Sequence, residues 1–303
     1  TQLSRKYNQN TFMKREDLQP VFSFKSRGAF NKIRQLSHQQ SNHGIIAASA
    51  GNHAQGVALA AQQLSIQATI VMPETTPKIK VNAVKALNAT VVLNGDSYDD
   101  AYEHAKKLEA STGAIFIHPY DDVDVIAGQG TIGLEIIEQL SEPIDMVFVA
   151  VGGGGLLAGI LGAFKTLSPT TKIIAVEPVN SNCLAAAMAA NERVILNTVG
   201  IFTDGVAVKQ IGQLPFDIIK KYVDDTICVS IDDICSAIKD IYEETRTVVE
   251  PAGALSLAGM KHYLHKISQS NLNIVTINCG ANMNFDRLRH IAERTEHSEN
   301  NEQ

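Results

Sequence analysis

Three strand-to-helix turns and one lysine carry the residue types that could do chemistry. In Val149-Ala150-Val151-Gly152-Gly153-Gly154-Gly155-Leu156 a buried-strand run enters four glycines and a helical period leaves them. Glycines let backbone N–H groups approach an anion closely, and a helix N-terminus adds partial positive charge, so a phosphate is the natural occupant. The same stretch fits a dinucleotide fingerprint, Gly153-x-Gly155-x-x-Ala158, with Glu177 ending the next strand where an acid could hold a ribose. In Phe22-Ser23-Phe24-Lys25-Ser26-Arg27-Gly28 one lysine stands between aromatics. A lysine against apolar walls loses hydration and its pKa falls toward neutrality, as an amine needs if it is to condense with an aldehyde. Ser49-Ala50-Gly51-Asn52-His53-Ala54-Gln55-Gly56 opens a second helix with free N–H groups and polar side chains, a seat for a carboxylate.

Each signal has a plainer reading. The glycines can form a bare turn, at an entropic cost that such a turn need not carry. The lysine can snorkel off a helix start. Ser49 or Asn52 can cap its own helix.

The elements that must position these groups alternate. Strands are expected at 44–49, 68–72, 90–93, 114–117, 146–151, 172–177, 226–229 and 273–277. Helices are expected at 53–64, 77–87, 98–108, near 133–140, 156–167, 232–246 and 254–265. Apolar strands alternating with helices imply parallel sheets covered on both faces. The expected fold is α/β, with two open twisted parallel sheets and flanking helices. Residues 1–40 and 127–303 would form a large domain and 41–126 a small one. The polar tail from Glu296 to Gln303 is expected to fray.

The 303 residues, 45% hydrophobic and 19% charged, describe an ordinary globular chain rather than a disordered or fibrous one. A net charge of −6 provides no basic field for nucleic acid or an anionic membrane, so neither partner is expected. No apolar run reaches membrane-spanning length, and Thr1 to Asn10 carry no apolar leader. Four cysteines without a C-x-x-C pair suggest free thiols in a reducing cytoplasm. No metal is expected: His262 and His265 stand three apart without a carboxylate pattern.

Taken together, the Ser23–Gly28 turn, the Ser49–Gln55 loop, the tetraglycine run and Asn278-Cys279-Gly280-Ala281-Asn282 resemble the threonine dehydratase family. These are pyridoxal phosphate (PLP) ammonia-lyases of the tryptophan-synthase-β fold type. The resemblance runs from about Phe12 to Glu296, and the ending Gly280-Ala281-Asn282-Met283-Asn284-Phe285 is similar to the biosynthetic members. It implies that Lys25, beside Phe24, holds PLP covalently and later takes the substrate α-proton. It implies that Asn52 bonds the PLP 3′-oxygen and that Gly152, Gly153, Gly154, Gly155 and Leu156 bind the phosphate through main-chain N–H groups. Ser49, Ala50, Gly51, Asn52 and His53 would hold the substrate, with its carboxylate cradled by the main chain of that turn. Gly205 would lie near the ring, and Cys279 would face the pyridine nitrogen. The implied substrates are L-threonine and L-serine, and the implied assembly is a homodimer or homotetramer.

Two departures stand out. The family commonly has Ser at the position of Cys279. The Glu177–Cys183 turn, which binds a cation in some relatives, shows no second carboxylate here. The chain also stops after the catalytic part, so no C-terminal regulatory domain and no isoleucine feedback are expected. Serine racemisation or β-replacement is the runner-up reaction. A nicotinamide-dependent oxidoreductase and a non-catalytic amino-acid-binding protein are the readings from other classes. The oxidoreductase leaves the lysine turn, Asn52 and Cys279 without roles.

Overall fold

The computed structural model describes the backbone of residues 1–301 and the side chains of residues 1–295. The side chains of the tail expected to fray lie outside the described residues.

Nine strands are present among the described residues: β1 (Asn10–Arg15), β2 (Ile45–Ala48), β3 (Ala68–Met72), β4 (Thr90–Leu93), β5 (Ile115–Phe116), β6 (Met146–Ala150), β7 (Lys172–Pro178), β8 (Asp225–Val229) and β9 (Asn273–Asn278). They form the two expected open sheets. One has the order β1-β9-β6-β7-β8, the other β4-β3-β2-β5, and every ladder is parallel. β6, Met-Val-Phe-Val-Ala, is buried at every position, as a central parallel strand covered on both faces requires. Each sheet has its own apolar core. The larger gathers Phe148, Leu157, Phe164 and Ile174, and the smaller gathers Ile45, Val57, Ile70 and Ile117. Among the described residues, no helix is long and apolar enough to cross a membrane.

Three helices fix the geometry of the turns that matter. The Lys25–Arg34 helix crosses Val123–Gln139, which in turn crosses Gly155–Leu167. Both crossings are made at glycines. A Cβ on Gly128 would stand 2.6 Å from the Gly28 Cα and 2.7 Å from the Arg27 carbonyl oxygen. A Cβ on Gly159 would stand 2.5 Å from the Ile126 carbonyl oxygen. Backbone therefore lies against backbone, and the start of the lysine helix is set rigidly against the helix that leaves the glycine run.

Those glycines also explain a difference from expectation. The middle helix begins at Val123, capped by Asp122 Oδ1 on the Asp124 and Val125 N–H groups, rather than near Gly133. Gly128, Gly130 and Gly133 read as helix breakers in isolation, but here they permit close packing. β1 was not anticipated, because only Thr11 of its six residues is buried. The helices Gln2–Tyr7, Lys25–Arg34, His38–Ser41, Cys183–Ala190, Gln213–Tyr222 and Arg287–Asn301 were likewise not among those expected.

An ion network ties the lysine helix to its surroundings. The Arg27 guanidinium donates to Glu16 at 2.7 and 2.8 Å and to Glu135 at 2.6 and 2.7 Å, and Glu16 is fully buried. Arg27 thus serves the packing of the helix and does not crowd Lys25. Gly128→Ala has only backbone and a Cβ to displace, so it is expected to cost about 1–3 kcal/mol or more, read as a lowered thermal unfolding midpoint.

Candidate functional site

Lys25 is the first residue of its helix, half-buried, with Nζ donating to the Pro119 carbonyl oxygen at 3.0 Å and lying 5.3 Å from the centre of the Phe24 ring. No carboxylate pairs with it among the described residues. Burial lowers its pKa from 10.5 to about 8, against the opposing pull of Cys279 and Glu250. The expected desolvation is present, but its source differs from the sequence reading. Phe24 is buried, whereas Phe22 is 58% exposed at a left-handed φ of 54° and forms no wall. The apolar neighbour is Phe24, and the one hydrogen bond of the amine goes to the uncharged Pro119 carbonyl.

The glycine quartet fits a phosphate cradle. Gly154 caps the Gly155–Leu167 helix at φ 91°, and no side chain caps its N–H groups. Each Cβ would collide: at Gly152 with the Val206 Cα (2.9 Å), at Gly153 with the Tyr120 ring (2.2 Å), at Gly154 with Pro215 (2.8 Å) and at Gly155 with Tyr120 (2.9 Å). Leu156 lies in the first turn and is buried. The uncapped donors at this end match an anion, and only glycine fits between Tyr120, Val206 and Pro215.

The second turn lies against the lysine. A Cβ on Gly56 would stand 2.9 Å from the Lys25 carbonyl. Gly51 is the N-cap of the Asn52–Gln63 helix and makes no side-chain cap. Ser49 Oγ accepts from the Gly51 N–H at 3.2 Å, and Ala50 is half-buried beside it. The His53 ring is buried on the Ile117 carbonyl oxygen at 2.8 Å, and burial together with nearby Lys25 pushes its pKa down to about 3. His53 is therefore neutral, with Nε2 engaged on the Ile117 carbonyl.

The Asn52 side chain does not cap its own helix. Its Nδ2 donates to Glu250 Oε1 at 2.6 Å, and its Oδ1 accepts from Asn282 Nδ2 at 2.7 Å. Sequence reasoning gave neither partner a role. Glu250 is 4% exposed, and burial pushes its carboxyl up to about 7 although Asn52 stabilises the ionised form. Gly205 lies against this carboxyl, since a Cβ there would stand 3.5 Å from Glu250 Oε1. Cys279 follows β9, with Sγ donating to the Ala252 carbonyl oxygen at 3.2 Å, and its burial pushes the thiol pKa well up. Lys25, Asn52, Glu250, Gly205 and Cys279 thus converge.

Three neighbours from one loop were also missed. Pro119 holds Lys25, Tyr120 covers the glycines, and His118 Nδ1 accepts from the N–H groups of Tyr120 and Asp121 at 3.3 and 2.8 Å. The sequence signal was available in His118-Pro119-Tyr120 directly after β5, where parallel strands place functional loops. Two ion pairs join the small-sheet elements to the large-sheet side, Lys80 to Asp204 at 3.1 Å and Asp99 to Lys209 at 2.8 Å.

Glu177 is not available to a ribose. It is fully buried and accepts from the Leu184 and Ala185 N–H groups at 2.8 Å each, capping the Cys183–Ala190 helix. That removes the acid on which the dinucleotide reading depended. All four cysteines are free.

Among curated proteins, the chain is 53% identical over 291 residues to threonine dehydratase 1 biosynthetic, chloroplastic, of Solanum lycopersicum, covering 96% of this chain and 48% of that one. Among solved structures, the processed form of threonine deaminase isoform 2 from Solanum lycopersicum superposes with a TM-score of 0.96 at 47% identity, covering 97% of this chain and 81% of that chain. Maize serine racemase superposes with a TM-score of 0.90 at 33% identity, covering 98% and 91%. The chain spans about half the length of the curated relatives it matches.

Because a lysine reacts with a carbonyl only when neutral, reductive trapping of a small aldehyde on Lys25 by borohydride should rise with pH through a midpoint near 8 rather than 10.5, read by mass spectrometry. A desolvated lysine held by Pro119, and a glycine cradle covered by the adjacent Tyr120, agree with the family model that matches residues 1–280, described as pyridoxal-phosphate dependent enzyme, and the chain belongs to that family.

Proposed function

We propose that this chain eliminates water from L-threonine, giving 2-oxobutanoate and ammonia, and converts L-serine to pyruvate in the same way, as the first step of isoleucine synthesis. The observation that carries the reading is a desolvated Lys25, without a carboxylate partner among the described residues, held by Pro119 next to the Tyr120 that covers a side-chain-free glycine cradle, in a chain about half of whose residues match biosynthetic threonine dehydratases.

The residues fit the cofactor. The cradle of Gly152 to Gly155 with Leu156 would take its phosphate, Lys25 beside Phe24 its aldehyde carbon, Asn52 its ring oxygen and Cys279 its ring nitrogen, with Gly205 along the ring. When bound, PLP supplies a carbonyl that captures the substrate amine and a ring that draws electron density from Cα, making its proton removable.

The chain's own groups do the rest. The open N-terminus beside Ser49, Ala50, Gly51 and His53 holds the substrate carboxylate through main-chain N–H groups. Lys25, with a pKa near 8, is a base of the right strength at neutral pH, because an amine of ordinary pKa would stay protonated. The buried Cys279 thiol stays neutral and does not stabilise a positive charge on the ring nitrogen, which favours elimination over racemisation. Serine lacks one methyl group relative to threonine, worth roughly 1–3 kcal/mol in a pocket, so both are substrates. The lower identity to a serine racemase leaves racemisation as the second reading.

Keto-acid formation from threonine and serine, measured side by side with racemisation, tests this. Cys279→Ser should keep most of the activity. Cys279→Asp, which can hold a proton on the ring nitrogen, should lower keto-acid output about tenfold or more. An unchanged Cys279→Asp rate would refute the assigned role of the thiol.

A further inference from the structure

We propose that Glu250 and Asn282 are positioning residues that lock the Asn52 amide in the one orientation that turns an N–H toward the cofactor ring; this rests on the reading above that Asn52 meets the ring oxygen. The orientation follows from a chain of forced hydrogen bonds. The Val21 carbonyl oxygen can only accept, and Asn282 Nδ2 donates to it at 2.8 Å. The second hydrogen of Asn282 Nδ2 goes to Asn52 at 2.7 Å, so Asn52 must present its oxygen there. Its Nδ2 is thereby turned to the other side, where Glu250 Oε1 accepts at 2.6 Å. One Nδ2 hydrogen is left with no acceptor among the described residues.

Both ends of the chain are anchored. Val21 is buried, and Ala281 donates its N–H to the neighbouring Phe22 carbonyl oxygen at 2.9 Å. Glu250 is the N-cap of the Pro251–Leu264 helix, yet its carboxyl caps nothing there and instead meets the Asn52 amide and the Asn282 main-chain N–H. A Cβ on Gly280 would stand 2.4 Å from Glu250 Oε1 and 3.0 Å from Asn52 Nδ2, so space has been kept for this pair. Glu250 offers an acceptor oxygen whether or not it carries a proton, so the lock tolerates either state.

The test uses the PLP-loaded protein, its colour band and its PLP dissociation constant by equilibrium dialysis. Asn282→Asp replaces the donor to Asn52 by an acceptor and should turn the amide over. It should weaken PLP about tenfold and move the band toward the short-wavelength form, in which the ring oxygen keeps its proton. Glu250→Leu leaves Asn282 to set the sense of the amide but frees its Nδ2 side, so it should weaken PLP by a smaller factor of about three, while Glu250→Gln, which retains an acceptor oxygen, should stay within about twofold of the parent. Should Asn282→Asp not fold, Asn282→Ala loses the same donor at a half-buried position without adding charge, and the same loss is expected. Parent-like affinity and colour in the Asn282 variants and Glu250→Leu, beside a weakened Asn52→Ala, would overturn the lock. A parent-like Asn52→Ala would instead overturn the reading of Asn52 as a cofactor contact.

Discussion

The site depends on a desolvated amine that has no carboxylate partner among the described residues. Removing an ammonium group from water is costly, and proteins ordinarily offset that cost with a carboxylate. Here the nearest polar partner of Lys25 is the neutral Pro119 carbonyl, so burial acts chiefly by favouring the uncharged form. Glu250, the carboxyl whose charge acts on Lys25, is itself desolvated and hydrogen-bonded to Asn52. The same low-dielectric surroundings keep Cys279 and His53 uncharged. A set of neutral groups around one reactive nitrogen is what burial without ion pairing produces.

Holding that arrangement falls largely to glycine. Gly28 with Gly128, Ile126 with Gly159, and Gly56 with the Lys25 backbone let main chains approach closely, and the four glycines after β6 let Tyr120, Val206 and Pro215 close around an uncapped helix end. Side chains at those points would add contacts but would also add rotamers and distance. Backbone contacts have little freedom to relax, and this keeps the lysine and the cradle in register over two helix crossings.

Much of this was legible in the sequence where the signal was local. β6 and the glycine quartet are contiguous, so an apolar run, a break and a helical period could be read directly, and the two-sheet α/β architecture followed from the alternation. Lys25 and Asn52 stood out because small and polar residues crowd short turns. Glu250 was not legible, for Glu-Pro before an apolar stretch looks like an ordinary helix start, and its partner Asn52 is far away in the chain. Asn282 belonged to a quoted motif, but its geometric role appears only when the segment after β9 folds back on Val21. β1 was illegible because an edge strand with one buried residue carries almost no period-two signal. Phe22 misled in the other direction, since adjacency in sequence suggested a wall where the backbone turns the ring to solvent.

The two ion pairs that join the small-sheet side to the large-sheet side have a consequence for cohesion. Lys80–Asp204 and Asp99–Lys209 are partly or largely open to water, where such contacts are worth about 0–1 kcal/mol and are screened within roughly 8–10 Å at cellular ionic strength. Fastenings that weak part and re-form under thermal agitation. Cohesion between the two halves therefore rests on the Gly56–Lys25 backbone contact and the hydrogen bonds of Asn52 to Glu250 and Asn282, and added salt should loosen the surface pairs without disturbing that inner seam.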